Sequence, residues 1–224
     1  MTPEAQVAAL PQQLPPERPA LRGVLHLGAA IAAIFGTVWL LLLASSPTGY
    51  VGAAVFGTTL MLLYWTSAGY HLFRWGTIMY GTLKRMDHAM IFILIAGSYT
   101  PFAFQVSPVW WIPVLSVVWG VGGAGALMKV VWPDGPRWLS VTLYVSLGWV
   151  VVAVASEVLT VLPVGQLIML AVGGALYTTG GVVYAMRRPN PWPRFFGYHE
   201  VFHALVVAGS AVHFSGVAIY SLPG

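Results

Sequence analysis

Hydrophobic residues in this chain come in long unbroken blocks, without the alternating or every-third-or-fourth pattern of a water-soluble fold. Seven such runs lie near 24–44, 51–72, 87–106, 110–130, 138–157, 164–186 and 197–219. Each is long enough to cross a hydrocarbon core of ~30 Å as a helix. The third and fourth are divided only by a tight Ser107-Pro108 turn. Residues 1–20 are polar and proline-rich (Pro3, Pro11, Pro15, Pro16, Pro19). They read as a disordered cytoplasmic tail ahead of a seven-helix domain over 21–224. No basic start leads into a short apolar stretch and cleavage site, so the tail does not read as a secretory signal. The expected fold is an all-α integral membrane protein with seven transmembrane helices.

Composition sharpens this. The chain is 58% hydrophobic and 7% charged, against about 25% charged for a soluble domain, so its charges could not cover a globule in water. It has no cysteine, which excludes a disulfide framework and thiolate metal ligation. With seven spans, every Lys and Arg (Arg18, Arg22, Arg74, Lys84, Arg85, Lys129, Arg137, Arg187, Arg188, Arg194) falls on the amino-terminal side of the membrane. The opposite loops carry none. The positive-inside rule then puts the N-terminus in the cytoplasm and the C-terminus outside, with a bacterial inner membrane as the expected location. The net charge of +4 is accounted for by topology and lipid headgroups, leaving no nucleic-acid patch.

That topology brings unusual residues to one depth. His71 ends the second span and Ser67 lies one turn deeper on the same face. Asp87 opens the third span. His199 and His203, four apart on one face, open the seventh. Ionisable groups in a membrane are costly and tend to face a bundle interior or cavity. Three neutral imidazoles plus water make the open tetrahedral set of a catalytic-type zinc site, so His71, His199 and His203 are the expected ligands of Zn2+. Asp87 and Ser67 are the candidates for holding the water or an imidazole N–H. Each has a plainer reading: Asp87 as a dipole-favoured helix start, Ser67 as a packing hydroxyl, His71 as a snorkelling interfacial residue. His213, about 15 Å beyond His203 at helical rise, is expected in the core and away from the metal. His26 borders the same region, and His88 is expected at the interface.

Two motifs mislead. Gly120-Val121-Gly122-Gly123-Ala124-Gly125 matches G-x-G-x-x-G, but it lies within an apolar span with no preceding strand. Close helix packing is the better account, with Gly173-Gly174 and Gly180-Gly181 serving likewise. His199-Glu200-Val201-Phe202-His203 matches the metalloprotease string H-E-x-x-H. No Asp or Glu follows Glu200, and Gly209 stands where the extended form needs its third histidine. The third ligand must therefore come from upstream. Glu200 lies about 100° from His199 around the helix.

Ser67-Ala68-Gly69-Tyr70-His71, Asp87-His88-Ala89-Met90-Ile91-Phe92 running to Ala96-Gly97-Ser98-Tyr99-Thr100-Pro101-Phe102, and His199-Glu200-Val201-Phe202-His203 with His213-Phe214 resemble the hemolysin III proteins. Those are the bacterial branch of the progestin and adiponectin receptor (PAQR) family. Arg22-Gly23-Val24-Leu25-His26 resembles the family's entry to its first span, and the likeness runs from about residue 18 to 220. It implies seven helices with the N-terminus inside and zinc on His71, His199 and His203, with Ser67 and Asp87 beside it. In the receptor relatives a glutamine commonly stands where Glu200 is, which weakens a protease role. The family is similar to alkaline ceramidases in its Ser/Asp/three-His set. The resemblance therefore implies a zinc-dependent hydrolase of lipid amides in membrane homeostasis, with a lipid substrate in a cavity open to the cytoplasmic leaflet. A non-enzymatic sensor or receptor with structural zinc is the alternative, and a pore-forming cytolysin a third. The almost wholly apolar spans offer no polar stripe for a pore.

Overall fold

The computed structural model of the chain describes Pro19 and residues 21–222. The expected disordered tail over 1–20 therefore lies, Pro19 apart, outside the described residues. Helix α1 covers Val24–Leu43, α2 Pro47–Leu72, α3 Thr77–Ala103 and α4 Pro108–Val131. Helix α5 covers Arg137–Gly148, α6 Ala155–Val161, α7 Val164–Met186 and α8 Tyr198–Gly216. A 3-10 turn over Val150–Val154 joins α5 to α6, and a π-helical turn over Val217–Ser221 extends α8. Local chemistry sets several boundaries. Ser46 caps α2 by accepting the Gly49 N–H at 3.1 Å, with Pro47 in the first turn. Pro108 likewise opens α4 directly after Ser107, as the expected tight turn requires.

Among the described residues six helical stretches are long and apolar enough to cross a membrane: Val24–Leu43, Pro47–Leu72, Pro108–Val131, Arg137–Val161, Val164–Met186 and Tyr198–Ser221. This is an all-helical, multi-pass membrane protein. Helix α3, at 27 residues, is long enough for a seventh crossing but more polar, with Lys84, Arg85, Asp87 and His88 in its first half. It packs between α2 and α4 and also meets α5, while α1 and α8 close the other side of the bundle. Large apolar side chains face outward on many helices, including Leu42 at 75% exposed and Ile78 at 89%. Such a surface would aggregate in water and suits a hydrocarbon solvent.

The interior has two apolar clusters. One joins α1, α2, α3 and α8 through residues such as Ala30, Leu40, Phe56, Leu63 and Val206. The other joins α3 to α6 through Phe92, Val118, Leu147 and Val158. Small residues let helices approach closely. Gly57 of α2 faces Thr37 of α1, and Gly97 of α3 faces Thr59 of α2. In the G-x-G-x-x-G stretch, Gly122 abuts Ala96 and Gly125 the Phe92 ring, while Gly120 and Gly123 face open space. Gly173 makes room for the His213 ring and Gly180 for Phe202 and Leu205. The string is thus a helix-packing surface at two of its four glycines.

Two expectations change. The third helix begins at Thr77, so Asp87 lies ten residues inside it and is no helix-start residue. The fifth run is not one smooth helix, because the β-branched stretch Val150-Val151-Val152 tightens into the 3-10 turn.

Candidate metal centre

His71 occupies the last turn of α2, with Ser67 one turn before it. His199 and His203 sit in the first two turns of α8. That helix starts where it does because Gly197 precedes it, Asn190 Oδ1 accepts the Tyr198 N–H at 2.8 Å, and Glu200 Oε2 accepts the Gly197 N–H at 2.8 Å. The i, i+4 spacing then turns both imidazoles to one side, toward the end of α2.

One ring nitrogen from each of His71, His199 and His203 lies within 4.8 Å of the others. His71 Nε2 and His199 Nε2 are 3.2 Å apart. Tetrahedral zinc with Zn–N bonds of about 2.0–2.1 Å separates its nitrogens by about 3.3 Å. The first pair already matches, and a shift of about 1.5 Å at most brings in the third. The three imidazoles are placed to hold one metal ion. They belong to two helices distant in sequence, which no local motif provides.

Asp87 stands beside them, its Oδ2 3.7 Å from His71 Nε2. The Ser67 hydroxyl is buried next to the Asp87 carboxyl, and its oxygen has no hydrogen-bond partner among the described residues. The histidine triad, Asp87 and Ser67, assigned to one depth from the chain, therefore share one site. His26, left open by the sequence, stacks on His203 with ring centres 3.7 Å apart and planes 7° from parallel. It sets the plane of a candidate ligand. His88 faces inward as well as toward the interface: Nδ1 lies 2.7 Å from the Lys84 carbonyl and Nε2 3.3 Å from the Tyr184 hydroxyl. His213 is a core residue, packed on Phe102 and Tyr177 with Nε2 3.5 Å from the Leu170 carbonyl.

Sequence reasoning missed a buried hydroxyl cluster deeper in the bundle. Tyr64 and Tyr177 both reach the Ser210 hydroxyl, at 2.6 and 2.7 Å. It ties α2, α7 and α8 together behind the histidines. Tyr64 also meets the His26 ring edge-on at 5.1 Å. Three hydroxyl residues on apolar helices carry no joint signal until the helices' rotations are known.

The site opens into an interior cavity of about 110 Å³ whose lining includes Ser67, Asp87, His88, His199, Phe202 and His203. A second cavity of about 440 Å³ adjoins it, sharing Ser98, Tyr99, Gly148, Trp149, Gly174 and His213, and continues past Val154, Val158 and Leu162. Its wall is nearly all aliphatic and aromatic.

A multi-helix membrane protein with a tri-histidine pocket on an apolar cavity is the class these features define. The family model described as haemolysin-III related matches residues 16–214, and the chain belongs to that family. It is similar to the hemolysin-3 homolog of Bacillus subtilis (strain 168), 27% identical over 190 residues covering 84% of this chain and 82% of that protein. Hemolysin-3 of Bacillus cereus is 27% identical over 209 residues, 89% of this chain and 90% of its own. The adiponectin receptor protein of Drosophila melanogaster is 26% identical over 190 residues, 68% of this chain and 38% of that longer protein.

Proposed function

We propose that the chain is a zinc-dependent hydrolase of membrane lipids, cleaving an amide-linked acyl chain and so acting in lipid homeostasis. One observation carries this reading. Three imidazoles fit a single ion, and two of them, His199 and His203, line a largely apolar cavity together with the Asp87 carboxyl and the buried Ser67 hydroxyl. Three His donors leave a tetrahedral position open, the arrangement of catalytic zinc rather than of closed structural sites. The same donor set, neutral nitrogen with no thiolate, suits zinc among the common ions.

When bound, zinc supplies a Lewis acid and lowers the pKa of water toward ~7. The chain's own groups do the rest. Asp87 accepts the proton from attacking water at Oδ2 and returns it to the amide nitrogen as the C–N bond breaks, releasing the amine and the free fatty acid. The Ser67 hydroxyl donates a hydrogen bond to the carbonyl oxygen as negative charge builds on it. His26 keeps the His203 ring in plane. The second cavity, within the ~300–1,000 Å³ range of ligand pockets, takes the acyl chain and keeps bulk water from the reacting bond.

In this reading α3 makes the seventh crossing. It is packed between two membrane-spanning neighbours, and its polar residues lie toward the site. The basic residues flank the site end of the helices, so by the positive-inside rule that end is cytoplasmic. The protein then sits in a bacterial inner membrane with its N-terminus inside, its C-terminus outside and its site at inner-leaflet depth.

The test is metal analysis of the purified protein, followed by incubation in nanodiscs with total lipid extract, with and without a chelator. About one zinc per chain and chelator-sensitive release of free fatty acid are expected. Zinc without release, with a fall in melting temperature on chelation, would replace the hydrolase by a sensor whose metal clamps α2 to α8. Dye leakage from protein-containing vesicles would favour a pore.

A further inference from the structure

Glu200 has no task in the chemistry above, yet it is fully buried. Both oxygens of its carboxylate are engaged by groups other than the imidazoles: Oε1 is paired with Arg22 Nε, and Oε2 accepts the Gly197 N–H at 2.8 Å. Gly197 is the residue on which α8 starts, and His199 is two positions on. The partner arginine belongs to the segment entering α1. That segment is bound to the loop before α8 by Leu21 N–H to the Phe195 carbonyl at 3.3 Å. The next residue, Gly23, has φ +84°, and a Cβ there would lie 2.8 Å from His71 Cβ. Residues 21–23 thus touch both ligand-bearing helices beside the ligands themselves, His71 on α2 and His199 on α8.

We propose that Arg22, Gly23 and Glu200 form a clip that sets the spacing of His71 and His199 and thereby controls how tightly the site holds its metal. Arg22 and Glu200 are positioning residues; neither ligates the metal nor moves a proton. The clip rests on the metal reading of the triad, not on the hydrolase reading. It explains why the most buried carboxylate among the described residues sits between two candidate ligands in the chain with both its oxygens bound to other groups. A buried ion pair is worth little as net stability but is sharply disrupted when one member is lost, which suits a device that fixes geometry.

The experiment uses full-length protein in nanodiscs, with Zn2+ affinity measured by chelator competition and Co2+ spectra reporting ligand geometry. Arg22→Met and Glu200→Ala should each weaken Zn2+ binding ~10–100-fold, the range for groups that orient metal ligands, and change the Co2+ bands. The double variant should lose no more than the worse single, because either change opens the same clip. Glu200→Gln, whose single amide oxygen can accept from Arg22 or from Gly197 but not from both, should fall between wild type and Glu200→Ala. Gly23→Ala, strained at positive φ and pressed on His71, should weaken binding independently. Gln166→Leu, a buried change at the far end of the bundle, should alter melting temperature without altering metal affinity, separating positioning from general destabilisation. Arg22→Met and Gly23→Ala variants that bind Zn2+ as wild type does overturn the clip. So does a double variant whose losses multiply, or a Glu200→Gln variant that keeps its metal and loses fatty-acid release, which would make Glu200 the base. Wild-type protein that takes up no metal overturns the triad reading and the clip together.

Discussion

Asp87→Asn tests the assignment of a proton acceptor most directly. The exchange keeps shape, but the new amide cannot take a proton. Asp87 is 8% exposed, and its Oδ2 lies 3.7 Å from His71 Nε2, so little room exists for a solvent base to replace it. A positioned general base is worth about 10²–10⁴ in rate, or about 3–5 kcal/mol at 1.36 kcal/mol per decade. The effect on metal is smaller, because Asp87 stands outside the imidazole triad. Loss of a group that orients a ligand lowers affinity by about 10–100-fold, or ~1.4–2.7 kcal/mol. Zinc at a thousandfold excess over the wild-type Kd therefore keeps the variant loaded while turnover falls by at least a hundredfold. The assay is fatty-acid release by mass spectrometry on zinc-saturated protein in nanodiscs, with metal content measured on the same sample. A loaded variant that retains more than about a tenth of the wild-type rate would refute the role of Asp87.

The remaining expectations concern the framework. Tyr64→Phe should cost about 1 kcal/mol in detergent melts, because Ser210 keeps its bond to Tyr177; Ser210→Ala strands two buried phenols and should cost at least twice as much. Gly97→Ala places a methyl 2.8 Å from Thr59 Cβ, and overpacking of about 1–3 kcal/mol should outweigh the gain of up to ~1 kcal/mol in helix propensity. Gly120→Ala meets open space and should raise the melting temperature. Lys84 of α3 donates at 2.6 Å to Asp134, on the loop after α4, and holds that exposed carboxyl below its usual pKa. The folded value lies below the unfolded one, so this tie contributes above the ordinary carboxylate range and is lost as pH falls through the lowered value. Acid melts of Lys84→Ala should lose that small dependence, and high salt should erase it in wild type.

The bundle was legible because hydrocarbon demands long apolar helices, and the chain supplies them in blocks. The grouping of the candidate site was legible because the pattern of charges assigned these residues a common depth. His71, Asp87, His199 and His203 come from three helices, and separations of 3.2–4.8 Å bring their polar atoms to one point. What stayed hidden depends on rotation about helix axes or on helix ends away from lipid. Asp87 looked like a helix start because the apolar run begins there. Lys84 and Arg85 belong to the same helix but are too polar to be counted in it. The 3-10 turn at Val150–Val154 lies in an evenly apolar run, where hydropathy has no feature to mark it. The cluster on Ser210 needs three helices in register, and one sequence contains no measure of that register.

The string His199-Glu200-Val201-Phe202-His203 shows where motif reading ends. Its two histidines are i, i+4, which any helix turns into a shared face, so that part carries over from the string to the structure unchanged. The glutamate is different, since its rotation of about 100° from His199 and about 60° from His203 leaves it able to lean toward the metal face or away. Residues outside the string decide. Arg22, 178 positions earlier, takes one oxygen, and the Gly197 amide takes the other. With both oxygens engaged, turning Glu200 toward the imidazoles would strand a guanidinium and a buried N–H, each a penalty of about 1–3 kcal/mol or more. A protease base would have to overcome that at every turnover. The buried carboxyl left beside the triad is Asp87, on α3 and far upstream of the motif, and the proposed proton transfer belongs there.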